Sequence, residues 1–150
     1  MRIFESVDAL RAAVGQHIGY SEWHEITQER INLFADATED HQWIHVDEQA
    51  AAAGPFGTTI AHGHLTLSLL PVLTHEVWFV DGVKMGVNYG LNKVRFPAPV
   101  PVGSRLRGSI VLKSVEDVPG GLQVINEVTI EREGEEKPAC VAETVSRFYL

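Results

Sequence analysis

The chain has a single cysteine, Cys140, among its 150 residues. One thiol excludes an internal disulfide framework and any metal site built from several cysteines, and it suits a reducing compartment. No uncharged apolar run reaches the roughly 18 residues that a membrane-spanning helix needs, and the first residues do not combine a basic region with an apolar core. We therefore expect a cytoplasmic protein, neither secreted nor embedded in a membrane.

Positive charge is also scarce, because 12 Lys and Arg residues stand against 20 Asp and Glu residues, for a formal net charge of −8. Nonspecific nucleic-acid binding depends on a basic surface that releases counterions from phosphates. The charge balance therefore argues against a nucleic-acid partner. It also mildly disfavours an acidic carrier protein as the partner.

Repeats, low-complexity tracts and linker-like shifts of composition are absent as well, so residues 1–150 are expected to form one domain. Helical patterns dominate the first half. The segment from His62 to Trp78 is apolar on nearly every side, which predicts a central helix surrounded by protein, and Pro71 within it predicts a bend. Three shorter helices with candidate caps at Ser6, Thr27 and Asp47 are predicted to end near Gly15, Thr38 and Ala53.

Strand patterns dominate the second half. Leu122, Val124, Val128 and Ile130 alternate with polar residues, as in a half-buried antiparallel strand. Predicted strands cover 17–26, 83–96, 105–115, 122–132 and 139–149, with a proline-rich loop at 97–103. The sequence therefore predicts an α+β fold in which a curled antiparallel sheet wraps around one long central helix.

Asp40 and His45 lie five residues apart, at the predicted exit of the second helix. Such breaks in regular structure suit functional side chains that a scaffold must position, and this pair suits general acid and base chemistry. The structural alternative is that Asp40 caps a turn and His45 is a hydrogen-bonded core histidine. Sequence spacing alone favours that alternative slightly.

Gly63 is expected in the first turn of the central helix, where backbone amides have no partner within the helix. These amides and the helix dipole favour negative charge, and a glycine lets a ligand carbonyl approach the backbone closely. The structural alternative is a glycine that only permits tight packing of the helix start. Together with Asp40 and His45, however, Gly63 predicts an oxyanion site beside an acid/base pair.

A metal site formed by Asp40 with His41, His45, His62 and His64 is not expected, because their spacing matches no established helical metal motif. We interpret His62 and His64 as packing or supporting residues. Cys140 lies in an apolar strand and is expected to be a buried, inert thiol. The chain has no Gly-x-Ser-x-Gly motif for serine hydrolysis.

Three segments together resemble the MaoC-like (R)-specific enoyl-CoA hydratases, which have the hot-dog fold. They are Phe34 to His45, Ile60 to Gly63 and Phe96 to Gly103, and the resemblance extends over about Thr27 to Val115. The family usually has Gly-Asp-x-Asn-Pro-hydrophobic-His where this chain has Glu39 to His45 with Gln42-Trp43 in place of Asn-Pro. A serine that some members carry on the central helix aligns with Pro71, so that role is not assigned.

The resemblance implies that Asp40 and His45 activate water and that the Gly63 amide polarises a thioester carbonyl. The implied reaction is hydration of trans-2-enoyl-CoA to (3R)-3-hydroxyacyl-CoA, or the reverse dehydration. It requires no metal and no cofactor other than the CoA of the substrate, and it implies a homodimer with its site near the interface. The remaining alternatives are a hot-dog acyl-CoA thioesterase and a non-catalytic subunit that binds acyl thioesters.

Overall fold

The computed structural model describes residues 1–150, which form six helices and eight strands. The helices are α1 (Val7–Ala12), α2 (Gln28–Thr38), α3 (Trp43–Val46), α4 (Glu48–Ala52), α5 (Gly63–Ser68) and α6 (Leu70–Val77). The strands are β1 (Arg2–Phe4), β2 (His17–Tyr20), β3 (His24–Glu25), β4 (Trp78–Val80), β5 (Met85–Arg95), β6 (Arg105–Val118), β7 (Gly121–Arg132) and β8 (Cys140–Tyr149). None of the helices is both long and apolar enough to cross a bilayer.

The main sheet is antiparallel and has the strand order β2-β6-β7-β8-β5, with β3 also paired to β6. The alternation predicted for β7 is confirmed, because Leu122, Val124, Val128 and Ile130 are all buried. These residues face α5 and α6 across the largest hydrophobic cluster of the molecule. The predicted α+β arrangement, a sheet curled around a central helix, is therefore the observed one.

The central helix consists of two segments, α5 and α6, which meet at Leu69. Pro71 lies in the first turn of α6, where its missing amide hydrogen removes no helical hydrogen bond. The bend predicted from Pro71 is thus confirmed, and it falls just before the proline.

Packing against β6 fixes how closely the central helix approaches the sheet. Leu73 of α6 is fully buried over β6, and a Cβ atom placed on Gly108 would lie 3.1 Å from the Leu73 Cβ. A glycine at this point of β6 therefore allows the close approach. Burial of a leucine side chain stabilises a fold by roughly 1.5–3 kcal/mol, so this contact helps to anchor the helix that begins at Gly63.

The predicted opening strand at 17–26 is wrong as a single element, because it divides into β2 and β3 around Ser21. The Ser21 side-chain oxygen accepts a hydrogen bond from the Gly108 amide at 2.8 Å, in place of a regular backbone partner. The first helix also ends at Ala12, three residues before the predicted end. The short parallel pair β1–β4 was not predicted, since three-residue strands leave little alternation to detect.

Candidate active site

The candidate site begins directly after the end of helix α2. Its first turn is capped by the Thr27 hydroxyl, which accepts a hydrogen bond from the Arg30 amide at 3.1 Å. The helix ends at Glu39, which has the left-handed backbone conformation with φ 62°. Glycine adopts this conformation most readily, and Glu39 stands where the family pattern has glycine. The backbone turn is therefore formed without the glycine, and Asp40 follows it directly.

His45 lies on α3, a single helical turn that the sequence did not predict because four residues carry no helical periodicity. The turn begins at Trp43, directly after Gln42. The Trp43 ring covers Gly54, where an added Cβ would lie 2.9 Å from the nearest ring carbon. Gln42 and Trp43 thus form a defined turn in place of the Asn-Pro sequence of the family pattern.

The imidazole of His45 is 6% exposed and held in one orientation. Its Nδ1 lies 2.7 Å from the Ile60 carbonyl oxygen and donates to it, since a carbonyl only accepts. Nε2 therefore carries the free lone pair. The Gln28 side chain donates to the His45 carbonyl at 2.8 Å and accepts from the Thr59 hydroxyl at 2.5 Å, which ties α2, α3 and the 59–61 segment together.

Burial lowers the pKa of His45 below its usual value of 6.5, and the nearby His62 lowers it further. The hydrogen bond to Ile60 and the charge of Asp40 oppose this shift but do not reverse it. His45 is therefore a neutral imidazole at physiological pH, in the form that accepts a proton.

His62 contacts both members of the predicted pair. Its ring stacks on that of His45 with centroids 3.8 Å apart and planes 22° from parallel. Its Nε2 donates to the Asp40 main-chain carbonyl at 2.9 Å, and Phe34 lies beside it with ring centroids 4.9 Å apart. The prediction of a supporting residue is consistent with this position.

The Asp40 side chain is exposed, whereas the two histidines are buried. One carboxylate oxygen of Asp40 and one ring nitrogen from each of His45 and His62 all lie within 4.8 Å of one another. A single water that bridges two groups by hydrogen bonds of about 2.8 Å spans about 4.6 Å. The separation therefore suits a water held between the carboxylate and the imidazole.

Gly63 is the first residue of α5 and is exposed. An added Cβ would lie 3.3–3.4 Å from the Phe96 ring, so the glycine leaves room between the helix start and the proline-rich segment. That segment is fixed by backbone hydrogen bonds, from Ala61 to Val100 at 2.8 Å and from Val102 to Thr59 at 3.0 Å. An open helix start thus lies next to the histidine pair.

The sequence from residue 9 to residue 133 matches the family model described as MaoC like domain. The chain belongs to the MaoC-like family. Membership of this dehydratase family also confirms the prediction that the protein is a hydro-lyase.

Relatives of this MaoC-like protein agree in fold and class. It is 62% identical, over 99% of each chain, to 3-hydroxyacyl-thioester dehydratase Z of Mycobacterium tuberculosis. The solved (R)-hydratase of A. caviae, involved in PHA biosynthesis, is 25% identical with a TM-score of 0.73, over 89% of this chain and 94% of that one. The HadBC complex of M. tuberculosis, a 3R-hydroxyacyl-ACP dehydratase, has a chain that shares the fold, with 21% identity, a TM-score of 0.68 and coverage of 89% and 96%. The predicted hot-dog fold is confirmed.

The other two histidines that were considered as metal ligands, His41 and His64, have different partners. His41 is bonded to Asp36 at 2.9 Å, which raises the pKa of His41, and His64 lies edge-on to Phe96. Asp40, His45 and His62 each offer a ligand atom within 4.8 Å of the others, but Nδ1 of His45 and Nε2 of His62 are each hydrogen-bonded to a backbone carbonyl. The absence of a metal stays a prediction. Cys140 is fully buried, which raises its pKa to about 11 and confirms an inert thiol.

A cavity of about 410 Å³ lies farther along the central helix. It is bounded by α6, by the first half of β5 and by the end of β8, with Leu70, Thr74, Asn88 and Phe148 among its lining residues. Asp40 and His45 do not line it. The cavity thus lies beyond Asp40 and His45 along the central helix.

Sequence reasoning singled out Asp40, His45 and Gly63, and the structure brings these three residues into one region. It did not find Gln28, Thr59 or the Ile60 carbonyl, which fix the loop and the tautomer of His45. Glutamine and threonine occur too commonly to stand out, and a carbonyl has no side-chain signature. Only their tertiary contacts with α3 identify them.

Proposed function

We propose that this protein catalyses the reversible addition of water to trans-2-enoyl-CoA, giving (3R)-3-hydroxyacyl-CoA. The observation that carries the proposal is a buried, neutral His45 whose Nε2 is free and which has a ring nitrogen within 4.8 Å of an Asp40 carboxylate oxygen. The strong similarity to a 3-hydroxyacyl-thioester dehydratase supports the same substrate class here. The formal charge of −8 mildly disfavours an acidic carrier protein as the thioester carrier.

The reaction needs one proton removed from water and one delivered to the substrate α-carbon. His45 accepts at Nε2 the proton that the attacking water loses, while the Asp40 carboxylate orients that water. The same proton then passes from Nε2 to the α-carbon, directly or through the Asp40 carboxylate, so that both groups return to their starting protonation states. General acid and base groups of this kind typically contribute about 100- to 10,000-fold to the rate. A water held on one side of the substrate adds to one face of the double bond, which supports a single configuration at the new alcohol.

The attack also develops negative charge on the thioester oxygen. We assign the Gly63 amide as the donor for this oxygen, because the first amides of a helix lack partners within it and Gly63 is exposed and has no side chain of its own. One such donor is typically worth about 100- to 1,000-fold in turnover. We propose that no metal is needed, since a backbone amide can stabilise the enolate and the Asp40–His45 pair can activate the water.

The test is hydration of crotonyl-CoA, followed as loss of enoyl absorbance, with matched variants. Asp40→Asn, His45→Gln and Gly63→Pro, which lacks the amide hydrogen at a helix position that tolerates proline, should each lower kcat by about 100-fold or more. Asp81→Asn and His17→Gln alter an exposed aspartate and an exposed histidine elsewhere and should retain wild-type turnover. Wild-type turnover in Asp40→Asn and His45→Gln would contradict the assignment.

The same samples separate the two other functions considered for this fold. Release of free CoA, detected with a thiol reagent, would identify a thioesterase. Binding of the enoyl thioester with turnover of neither kind would identify a non-catalytic acyl-thioester-binding subunit. Hydration without CoA release is the expected result.

We further propose that the cavity beside α6 receives the far end of the acyl chain. Leu70, at its near wall, lies seven residues beyond Gly63, or about 10 Å along a helix at about 1.5 Å per residue. A four-carbon acyl group held at Gly63 ends before the cavity, whereas an eight-carbon group enters it. The value of kcat/KM should therefore be higher for trans-2-octenoyl-CoA than for crotonyl-CoA. Equal values, or a preference for the shorter substrate, would contradict this assignment.

For the assembly, we propose a homodimer formed through β5. Ten of its eleven residues are exposed, and the strand is paired only on one side, with β8. Met85, Val87, Tyr89 and Leu91 expose large apolar side chains there. Long apolar edge strands are normally covered, because they otherwise pair with other chains.

Antiparallel pairing of two β5 strands over their full length would place Gly90 near a two-fold axis. Arg95 of one subunit would then lie opposite Met85 of the other, and Phe96, which contacts the Gly63 region, follows Arg95 directly. The partner would thereby approach the entrance of the site. This geometry supports a site close to the subunit interface.

A further inference from the structure

We infer that His62 is a positioning residue for the hydration reaction, holding the Asp40 main chain and the His45 imidazole at the separation that one bridging water requires. The inference rests on the proposed function and adds a third side chain to it. His62 touches both partners of the pair and is assigned no contact with the substrate.

Asp40 has little else to hold it in place. It follows the left-handed turn at Glu39, and its exposed carboxylate accepts only a long hydrogen bond from the Gln42 amide, at 3.4 Å. Its carbonyl accepts from His62 Nε2 at 2.9 Å, and its main chain makes no other hydrogen bond. His62 is therefore the link between Asp40 and the buried part of the molecule.

His62 also restrains the His45 ring, by limiting its rotation. The bond from Nδ1 to Ile60 fixes one point of the His45 ring but leaves rotation about that bond open. The His62 ring lies against the face of the His45 ring at 3.8 Å and blocks that rotation. The two contacts of His62 thus define where Nε2 of His45 lies relative to Asp40.

The polar character of His62 is unfavourable for a residue that only packs. It is 3% exposed, and its Nδ1 is buried without any hydrogen-bond partner. An unpaired buried polar group typically costs about 1–3 kcal/mol of stability. A phenylalanine would fill the same space next to Phe34 and His45 without that cost, so stability does not account for a histidine here.

The experiment compares His62→Phe, His62→Gln and the control His17→Phe in the crotonyl-CoA and octenoyl-CoA assays. His62→Phe should keep the stacking but lose the bond to Asp40, so that kcat falls by about 10- to 100-fold while KM changes by less than about threefold, as expected for misplaced catalytic groups. Its melting temperature should be equal to or above that of the wild type. His17→Phe should retain wild-type kcat.

His62→Gln tests the hydrogen bond separately, because its amide can still donate to the Asp40 carbonyl. Its kcat should lie between those of the wild type and His62→Phe. If the phenylalanine variant fails to fold, His62→Gln should still have a kcat below the wild-type value but within about 10-fold of it. In an Asp40→Asn background, His62→Phe should cost less than about threefold, since residues that act as a unit are not additive. Both results would distinguish positioning from general support of the fold.

Wild-type kcat in His62→Phe, or full additivity with Asp40→Asn, would overturn the inference. So would a His62→Gln variant no more active than His62→Phe. If His62→Phe is fully active while Asp40→Asn is inactive, the inference alone fails and the proposed function stands. An inactive wild-type protein with both enoyl-CoA substrates would instead overturn the proposed function, and the inference with it.

Discussion

At the scale of single residues, the burial of His45 determines how the protein responds to pH. Because burial lowers its pKa below 6.5, the imidazole keeps its neutral, proton-accepting form to lower pH than an ordinary histidine does. The value of kcat/KM should therefore reach half of its plateau value at a pH below 6.5. A profile of kcat/KM from pH 5 to 8 checks this, and a half-plateau point above pH 6.5 would contradict it.

The same shift has a consequence for stability. The unfolded chain binds a proton at His45 more readily than the folded chain does, so this residue favours the folded state fully above pH 6.5 and progressively less as the pH falls through its folded-state pKa. Urea unfolding at pH 7.5 and pH 5.5 should show a smaller loss of stability in His45→Gln than in the wild type. Equal losses would show that the residue is not linked to folding.

Sequence reasoning reached Asp40, His45 and Gly63 because their residue types and spacing carry chemical information on their own. It treated His62 only as a supporting residue, since its relation to Asp40 spans 22 positions and depends on how α5 meets the α2 exit. The tautomer of His45 could not be predicted from the sequence either, because the hydrogen bond to the Ile60 carbonyl determines it.

At the scale of elements, the end of α2 contains a conformation that its residue does not favour. Glu39 is exposed and left-handed, at a helix end where glycine is common. Glu39→Gly should raise the free energy of unfolding by about 0.5–1 kcal/mol, because a side chain in this conformation costs about 1–2 kcal/mol and glycine loses part of that gain to its freer unfolded state. Urea unfolding measures it.

Glu39→Ala is the matched control, because it removes the carboxylate but keeps the Cβ atom. It should give no comparable gain. Equal stabilisation by both variants would point to the charge rather than to the backbone conformation.

Element prediction succeeded where alternation or periodicity was long enough. The four long strands were placed within a few residues, and Pro71 correctly marked the bend of the central helix. The break at Ser21 and the single turn of α3 escaped, because one side-chain hydrogen bond decides the first and local contacts with Gly54 and Gln28 decide the second.

At the scale of the whole molecule, β5 leaves one edge of the sheet open. Leu91→Asp should prevent the proposed pairing, because it places a charge in the middle of an apolar edge. Sedimentation equilibrium should then give a mass near the 16.6 kDa of one chain, against twice that mass for the wild type. Hydration activity should fall with it, since the site lies close to the proposed interface.

Ile3→Asp is the control, since Ile3 is an exposed apolar residue on β1, outside the main sheet. It should leave the mass doubled. A wild-type protein that sediments at 16.6 kDa, or that requires a second, different chain for activity as a hetero-complex would, would contradict the homodimer. The sequence predicted one domain and a dimer, but the alternation of β5 did not reveal that both of its faces are open.

The Trp43 indole has one more consequence, in the optical behaviour of the protein. It is 44% exposed, rests on Gly54 and belongs to the same helical turn as His45. The other two tryptophans are in different settings, Trp78 in the core and Trp23 under the Arg107 guanidinium. Emission from Trp43 should therefore report on the turn that carries the proposed base, His45, and can be used to follow substrate binding without a chemical label.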